Sequence, residues 1–202
     1  MSSSRRLMGL SGASLWLTTA AVAFWIPSLW LIGTRAAWLL LVAGGVIAIV
    51  LIAVSIAMIR AVLRLPGAAP PRTPEERALM QRFRWVTVAE VAAWALVSCV
   101  CIAIHHVALL VPLDVAILGL HFLPLARIFG NRRYYPLGVL ICGVAILTLA
   151  IFREDAHIGR AIAWYVVPAL GSAPAVWIVA GANLGEVRRL IRDSGSMGAA
   201  IY

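Results

Sequence analysis

Six side chains combine a chemistry-bearing type with a spacing that lets them meet: Glu90, His121, Asn183, Tyr134, Tyr135 and Asp114. A carboxyl and an imidazole that share a site shielded from water can exchange a proton near neutral pH. The same two groups serve equally well as a structural hydrogen bond joining two helices. Enzyme signatures are thin. The chain has no G-x-S-x-G elbow, no H-E-x-x-H, no phosphate loop and no dinucleotide fingerprint. An acid and base assignment to Glu90 and His121 would need a substrate pose. Nothing in the chain asks for a cofactor.

The elements that must position these residues are transmembrane helices. Of the 202 residues 63% are hydrophobic and 12% charged, with a mean hydropathy of +0.97, a composition suited to lipid rather than to a soluble domain. Apolar runs at residues 10–33, 36–63, 85–105, 111–127, 135–152 and 161–184 approach or exceed the roughly 20 residues a spanning helix needs. The expected fold is an all-α integral membrane protein with six transmembrane helices in a single domain over 1–202. The fourth run is short and carries Asp114, His121 and Pro124. It is kept as a span because irregular backbone in hydrocarbon would strand unpaired polar groups.

All 17 basic residues are arginine, giving a formal charge of +9. Six spans divide them fourteen to three, with only Arg35, Arg153 and Arg160 on the poorer side. That asymmetry predicts a cytoplasmic (inner) membrane protein with both termini cytoplasmic. The expected partner of the arginines is a bilayer with anionic headgroups, and nucleic acid is not expected. Trp16, Trp30, Trp38, Trp85, Trp164, Tyr134 and Tyr135 fall near span ends, where aromatic anchors sit. The start, with Ser4-Arg5-Arg6 and Ala21-Val22-Ala23, has features of a signal peptide. Its apolar run continues to Gly33, so it is expected to be a retained span.

Topology then sets depth. Glu90 lies six residues past Arg84 on a rising span, and His121 six residues before Arg127 on a descending one. Both are therefore about 9 Å above the arginine-rich boundary at the helical rise per residue. Asn183, five residues before Arg188, arrives about 7 to 8 Å above it, and Tyr134 and Tyr135 open the fifth span nearby. An inner-leaflet polar pocket of Glu90, His121, Asn183 and both tyrosines follows, open to a proton or a small solute. A carboxylate at such depth needs a partner or a proton. Asp114, seven residues before His121, shares its helix face and either opens an outward mouth or is an ordinary charge near a helix start.

Between spans two and three, residues 65–84 begin with Pro and Gly and continue as Thr73, Pro74, Glu75 and Glu76. This reads as a helix start with a capping box, giving a cytoplasmic loop with an amphipathic helix on the headgroups or a solvated linker. Near the outer end of span three, Cys101 and His105 are four residues apart and Cys99 and His106 seven apart, a soft ligand set for copper or zinc. One helix cannot close a tetrahedron, so no metal is expected and buried cysteine as a small apolar filler is the favoured account.

Shifting the chain by 97 positions brings Pro27 onto Pro124, Gly33 onto Gly130 and Arg35 onto Arg132. A three-span repeat would make the halves inverted, as in secondary transporters, with Pro27 and Pro124 as matching helix breaks lining a site. Ordinary proline kinks account for the same residues. Small residues such as Gly44, Gly45 and Gly181 permit close helix contact, within the chain or in a homo-oligomer.

The run His121, Phe122, Leu123, Pro124, Leu125 and Ala126, followed by Tyr134, Tyr135 and Gly138, resembles a family of small bacterial multi-pass membrane proteins of unknown function with a His-Phe-(Ile/Leu)-Pro-Leu-Ala motif. The motif covers about 20 residues, while the likeness in span number covers most of the chain. The resemblance implies a fold and no activity.

Overall fold

The computed structural model describes the backbone of residues 3–64 and 73–199 and the side chains of 9–64 and 73–192. Six helices, α1 (Ser3–Ile32), α2 (Arg35–Leu63), α3 (Pro74–Ala103), α4 (Leu110–Phe129), α5 (Tyr134–Ile151) and α6 (Ala163–Ala199), are each long and apolar enough to cross a membrane. The chain is an all-α, multi-pass membrane protein. The first part of the second connection, 65–72 with Arg72, and the side chains of Arg5 and Arg6 lie outside the described residues.

Local signals explain where the helices start and stop. Gly33 takes φ +68° and Thr34 caps α2, its hydroxyl accepting from Ala37 N–H at 3.2 Å. At α3 the expected capping box is complete, with Thr73 N–H donating to Glu76 Oε2 at 3.1 Å and Glu76 N–H to Thr73 Oγ1 at 3.3 Å. Residues 74–84 are nevertheless the first turns of the same continuous helix as the third span. They do not form a separate helix that could lie flat on headgroups. At the other end of α3, His105 adopts φ +58°, donates from its N–H to Ile102 O, and His106 N–H reaches back to Cys101 O. These are the paired bonds of a Schellman cap. A 3-10 turn, Val107–Leu109, then leads into α4.

Packing is uneven around the bundle. α6 touches α1, α2, α4 and α5, whereas α3 rests on α4 and the 3-10 turn. α2 turns a line of small or slender residues inward, Ala37, Gly44, Ala48, Ser55 and Val62, and leaves Leu39 and Ile49 facing lipid, 74% and 68% exposed. A Cβ at Gly44 would overlap the Trp25 indole, whose Nε1 donates to Leu40 O at 3.2 Å. Gly45 has no atom near its missing Cβ, so its smallness is not used for contact among the described residues. α4 and α5 cross with their backbones in close contact. A Cβ on Gly119 would lie 2.6 Å from Cys142 Sγ and 2.9 Å from Gly138 O, and one on Gly138 would lie 2.6 Å from Gly119 O.

One expectation needs correction. Pro27 and Pro124 do not break helices, since α1 runs unbroken from Ser3 to Ile32 and α4 from Leu110 to Phe129. Each proline removes one N–H from the ladder, a loss a helix survives when neighbours hold it; beside Pro27, Ser28 Oγ also donates to Phe24 O at 2.7 Å. α6 carries Pro168 and Pro174 in the same manner. The contacts of the two halves are not all alike: among the described residues α5 packs on α6, while α2 and α3 share no comparable contact. The 97-residue echo thus has a counterpart in the α1–α2 and α4–α5 contacts but not in these, and an inverted repeat is not established.

On the arginine-poor face, α5 and α6 are joined by a two-strand hairpin, β1 (His157–Ile158) and β2 (Ala161–Ile162). Gly159 turns it with φ +64° and lies directly against the Ile32 carbonyl at the end of α1. Trp164 Nε1 donates to Phe152 O at 2.8 Å, tying α6 to the end of α5.

Candidate functional site

α3 offers α4 a single line of residues. Phe83, Glu90, Trp94 and Cys101 recur at intervals of seven, four and seven, which keeps them on one helix face. Glu90 and Cys101 are the buried members of α3. On α4, Asp114 and His121 are seven apart and Phe122 is buried beside His121. Antiparallel packing of these two lines brings His121 Nδ1 to 3.0 Å from Glu90 Oε2, with both side chains 5% exposed. The depth match expected from the helical rise is thus a direct contact.

The contact is close but incompletely bonded. His121 Nδ1 makes no aligned hydrogen bond and Glu90 Oε1 has no partner. The separation meets the distance for an ion pair, while the direction of the imidazole nitrogen falls short of a good hydrogen bond. A buried acid and imidazole so placed can hold one proton between them, and the orphan oxygen is free to take a bond from a further donor.

Asn183 and Tyr134 belong to a different site. Asn183 Nδ2 donates to Tyr134 OH at 3.3 Å, and Asn131 Nδ2 donates to Asn183 Oδ1 at 3.0 Å. Asn131 Oδ1 in turn accepts from Arg133 N–H at 3.2 Å. Arg133 Nη1 closes the set on α6, donating to Ala182 O at 3.3 Å and to Glu186 Oε2 at 2.9 Å. The single pocket expected from depth is therefore two clusters. Phe122, fully buried, stands between them, with its ring 6.2 Å from that of His121 and 5.7 Å from that of Tyr134.

Tyr135 is 40% exposed, turned away from both clusters. Asp114 shares the His121 face but lies about two turns toward the arginine-poor face, so it does not line the pair. A half-open cavity of about 270 Å3 lies under the second cluster, lined by Leu10, Phe129, Arg132, Tyr134 and Glu186 among others. It reaches Tyr134 and not His121.

Three participants escaped the sequence reading. Asn131 and Arg133 sit in the turn after Gly130, where a helix-ending glycine followed by asparagine was the available signal. Trp94 is four residues past Glu90 and could have been placed on its face by period alone.

The thiol and imidazole set at the end of α3 does not assemble. The helix ends at Ala103, and the left-handed turn at His105 removes the four-residue register with buried Cys101. Cys99 is exposed, and His106 sits 3.5 Å from Glu154 on the surface. Among the described residues no group of three His, Cys, Asp or Glu side chains is placed to hold a metal.

Comparison with protein-family models, with curated proteins and with solved structures returns no match to this chain. Function must be argued from the two clusters themselves.

Proposed function

We propose that this is an inner-membrane protein, with its arginine-rich face and both termini toward the cytoplasm, that moves a proton, alone or with a small solute, by way of the Glu90–His121 pair. The carrying observation is an acid and an imidazole 3.0 Å apart, each 5% exposed, in the seam where α3 packs on α4. Ionisable groups inside a membrane bundle are destabilising unless they are used or fully paired, and this pair leaves an oxygen and a nitrogen unsatisfied. The arginine distribution supports the orientation through the attraction of cytoplasmic anionic headgroups. The likeness carried by His121–Ala126 lends the fold and no activity.

The test is proton flux in proteoliposomes that enclose a pH-sensitive dye. The parent protein should dissipate an imposed pH gradient faster than protein-free vesicles. Glu90→Gln and His121→Ala should each reduce that excess rate at least tenfold while their thermal unfolding in detergent stays near that of the parent. A pair that only joins helices gives the opposite pattern, with no excess flux in the parent and lost stability in both variants. Turnover of a lipid or soluble substrate without net movement would replace the reading by an enzymatic one.

A further inference from the structure

Among the described residues five buried side-chain nitrogen or oxygen atoms have no hydrogen-bond partner, and four of them belong to α3 and α4: Glu90 Oε1, Trp94 Nε1, Asp114 Oδ1 and His121 Nδ1. The fifth, Trp177 Nε1, is on α6. Buried polar atoms are almost always bonded in folded proteins. Four exceptions on one seam therefore mark a feature of the seam rather than scattered defects.

They lie at successive levels of the seam. Measured along the helices from the Glu90–His121 level toward the arginine-poor face, Trp94 lies about 6 Å away and Asp114 about 10 Å away. A water that accepts one bond and donates another joins polar atoms about 5.5 Å apart, so rises of this size call for one or two waters between successive levels. Water in such a place is normal when two to four polar partners surround it. The chemistry of the stations also fits a relay. Trp94 Nε1–H can only donate, so it fixes a water without carrying a proton, whereas Asp114, His121 and Glu90 can each take a proton up and release it. Asp114 is half-buried, with one oxygen inside the seam and part of its surface outside.

The opposite end is shut. Phe83, seven residues before Glu90 on the same line of α3, has its ring 5.6 Å from that of Phe129 on α4. This aromatic contact lies at the arginine boundary, beside Arg84 and Arg127; between it and the pair, Val86 on α3 and buried Leu125 on α4 belong to the apolar core. Other ionisable groups on the surrounding elements are separately engaged. Cys142 Sγ on α5 donates to Ala116 O at 3.5 Å, Tyr134 is bonded to Asn183, and Glu186 on α6 is held by Arg133. Cys101 is buried on α3 beyond Trp94, and His106 at the 3-10 turn faces Glu154.

We infer that the α3–α4 seam is a hydrated, one-sided proton path that runs from Asp114 past Trp94 to the Glu90–His121 pair and is closed toward the arginine-rich face by the apolar layer of Val86 and Leu125, with Phe83 and Phe129 beyond it. The inference rests on the proton-binding reading of the pair and adds its sidedness. A proton taken up by Asp114 from the arginine-poor side passes along water to the pair, and each station that gains a proton gives one to the next.

The protein inserted in one orientation in proteoliposomes tests this through the infrared carboxyl band of Glu90, assigned by its loss in Glu90→Gln. A pH jump on the arginine-poor side should change the band at once, and a jump on the arginine-rich side should not. Asp114→Asn should slow the response at least tenfold, and Trp94→Phe, which keeps the ring and removes the donor, severalfold. Leu125→Ala should make the band respond to the arginine-rich side. Equal response to both sides in the parent, response only to the arginine-rich side, or unchanged rates in Asp114→Asn and Trp94→Phe would overturn the path. A band insensitive to either side would end both the path and the proton-binding reading. A one-sided response without flux would leave the path standing and remove transport.

Discussion

The seam between α3 and α4 and the junction of α4, α5 and α6 treat buried polar groups in opposite ways. At the junction, Asn183, Tyr134, Asn131 and Arg133 bond to one another and to the α6 backbone, leaving a closed network. In the seam, four polar atoms within three helical turns have no partner. At the junction the backbones of α4 and α5 approach closely, at Gly119 and Gly138, while among the described residues α3 packs closely only on α4 and the 3-10 turn. A satisfied network in a tight crossing specifies one arrangement of helices. An unsatisfied one, on a helix held by few neighbours, gives up local stability, as the proposed proton-binding role would require.

That contrast can be broken from either side, and the largest effect is expected in the seam. Replacing both members of the pair, Glu90→Leu with His121→Leu, should raise the unfolding free energy by about 1 to 4 kcal/mol, as replacing buried ion pairs by apolar residues often does. Unfolding in mixed detergent and denaturant measures it, and a less stable double variant would make the pair structural. At the junction, Gly119→Ala should cost about 1 to 3 kcal/mol by forcing α4 and α5 apart. An unaffected midpoint would show that the Gly119–Gly138 approach is not what holds the two helices. Asn183→Ala should lose about 1 to 2 kcal/mol, because Tyr134 and Asn131 each lose a buried partner; the same assay reports it. The smallest effect belongs to Arg133 and Glu186. Their side chains are 43% and 24% exposed, so a double-mutant cycle should give a coupling below about 1 kcal/mol that shrinks with salt.

The sequence carried the seam further than the junction. A fixed rise per residue placed Glu90 and His121 at one level, and a seven-residue interval put Asp114 on the His121 face. The same arithmetic merged Asn183 and both tyrosines with them, because depth says nothing about direction around a helix axis. Phe122 separates the two groups, and Tyr135, next in sequence to buried Tyr134, points outward. Proline was read for its missing N–H, yet α1 and α4 continue through Pro27 and Pro124. A helix embedded among neighbours can lose one bond of its ladder without ending.

Composition and hydropathic run length determined six spanning helices by themselves, because lipid forces every span to satisfy its backbone internally. The helical rise likewise set the heights of the ionisable groups. Which faces meet was decided only by tertiary packing. Glycines that let α4 touch α5, and small residues that let α2 lie on α1, choose each helix's neighbours and its rotation. That rotation separates a closed hydrogen-bond network from an open acid–imidazole seam at nearly the same depth.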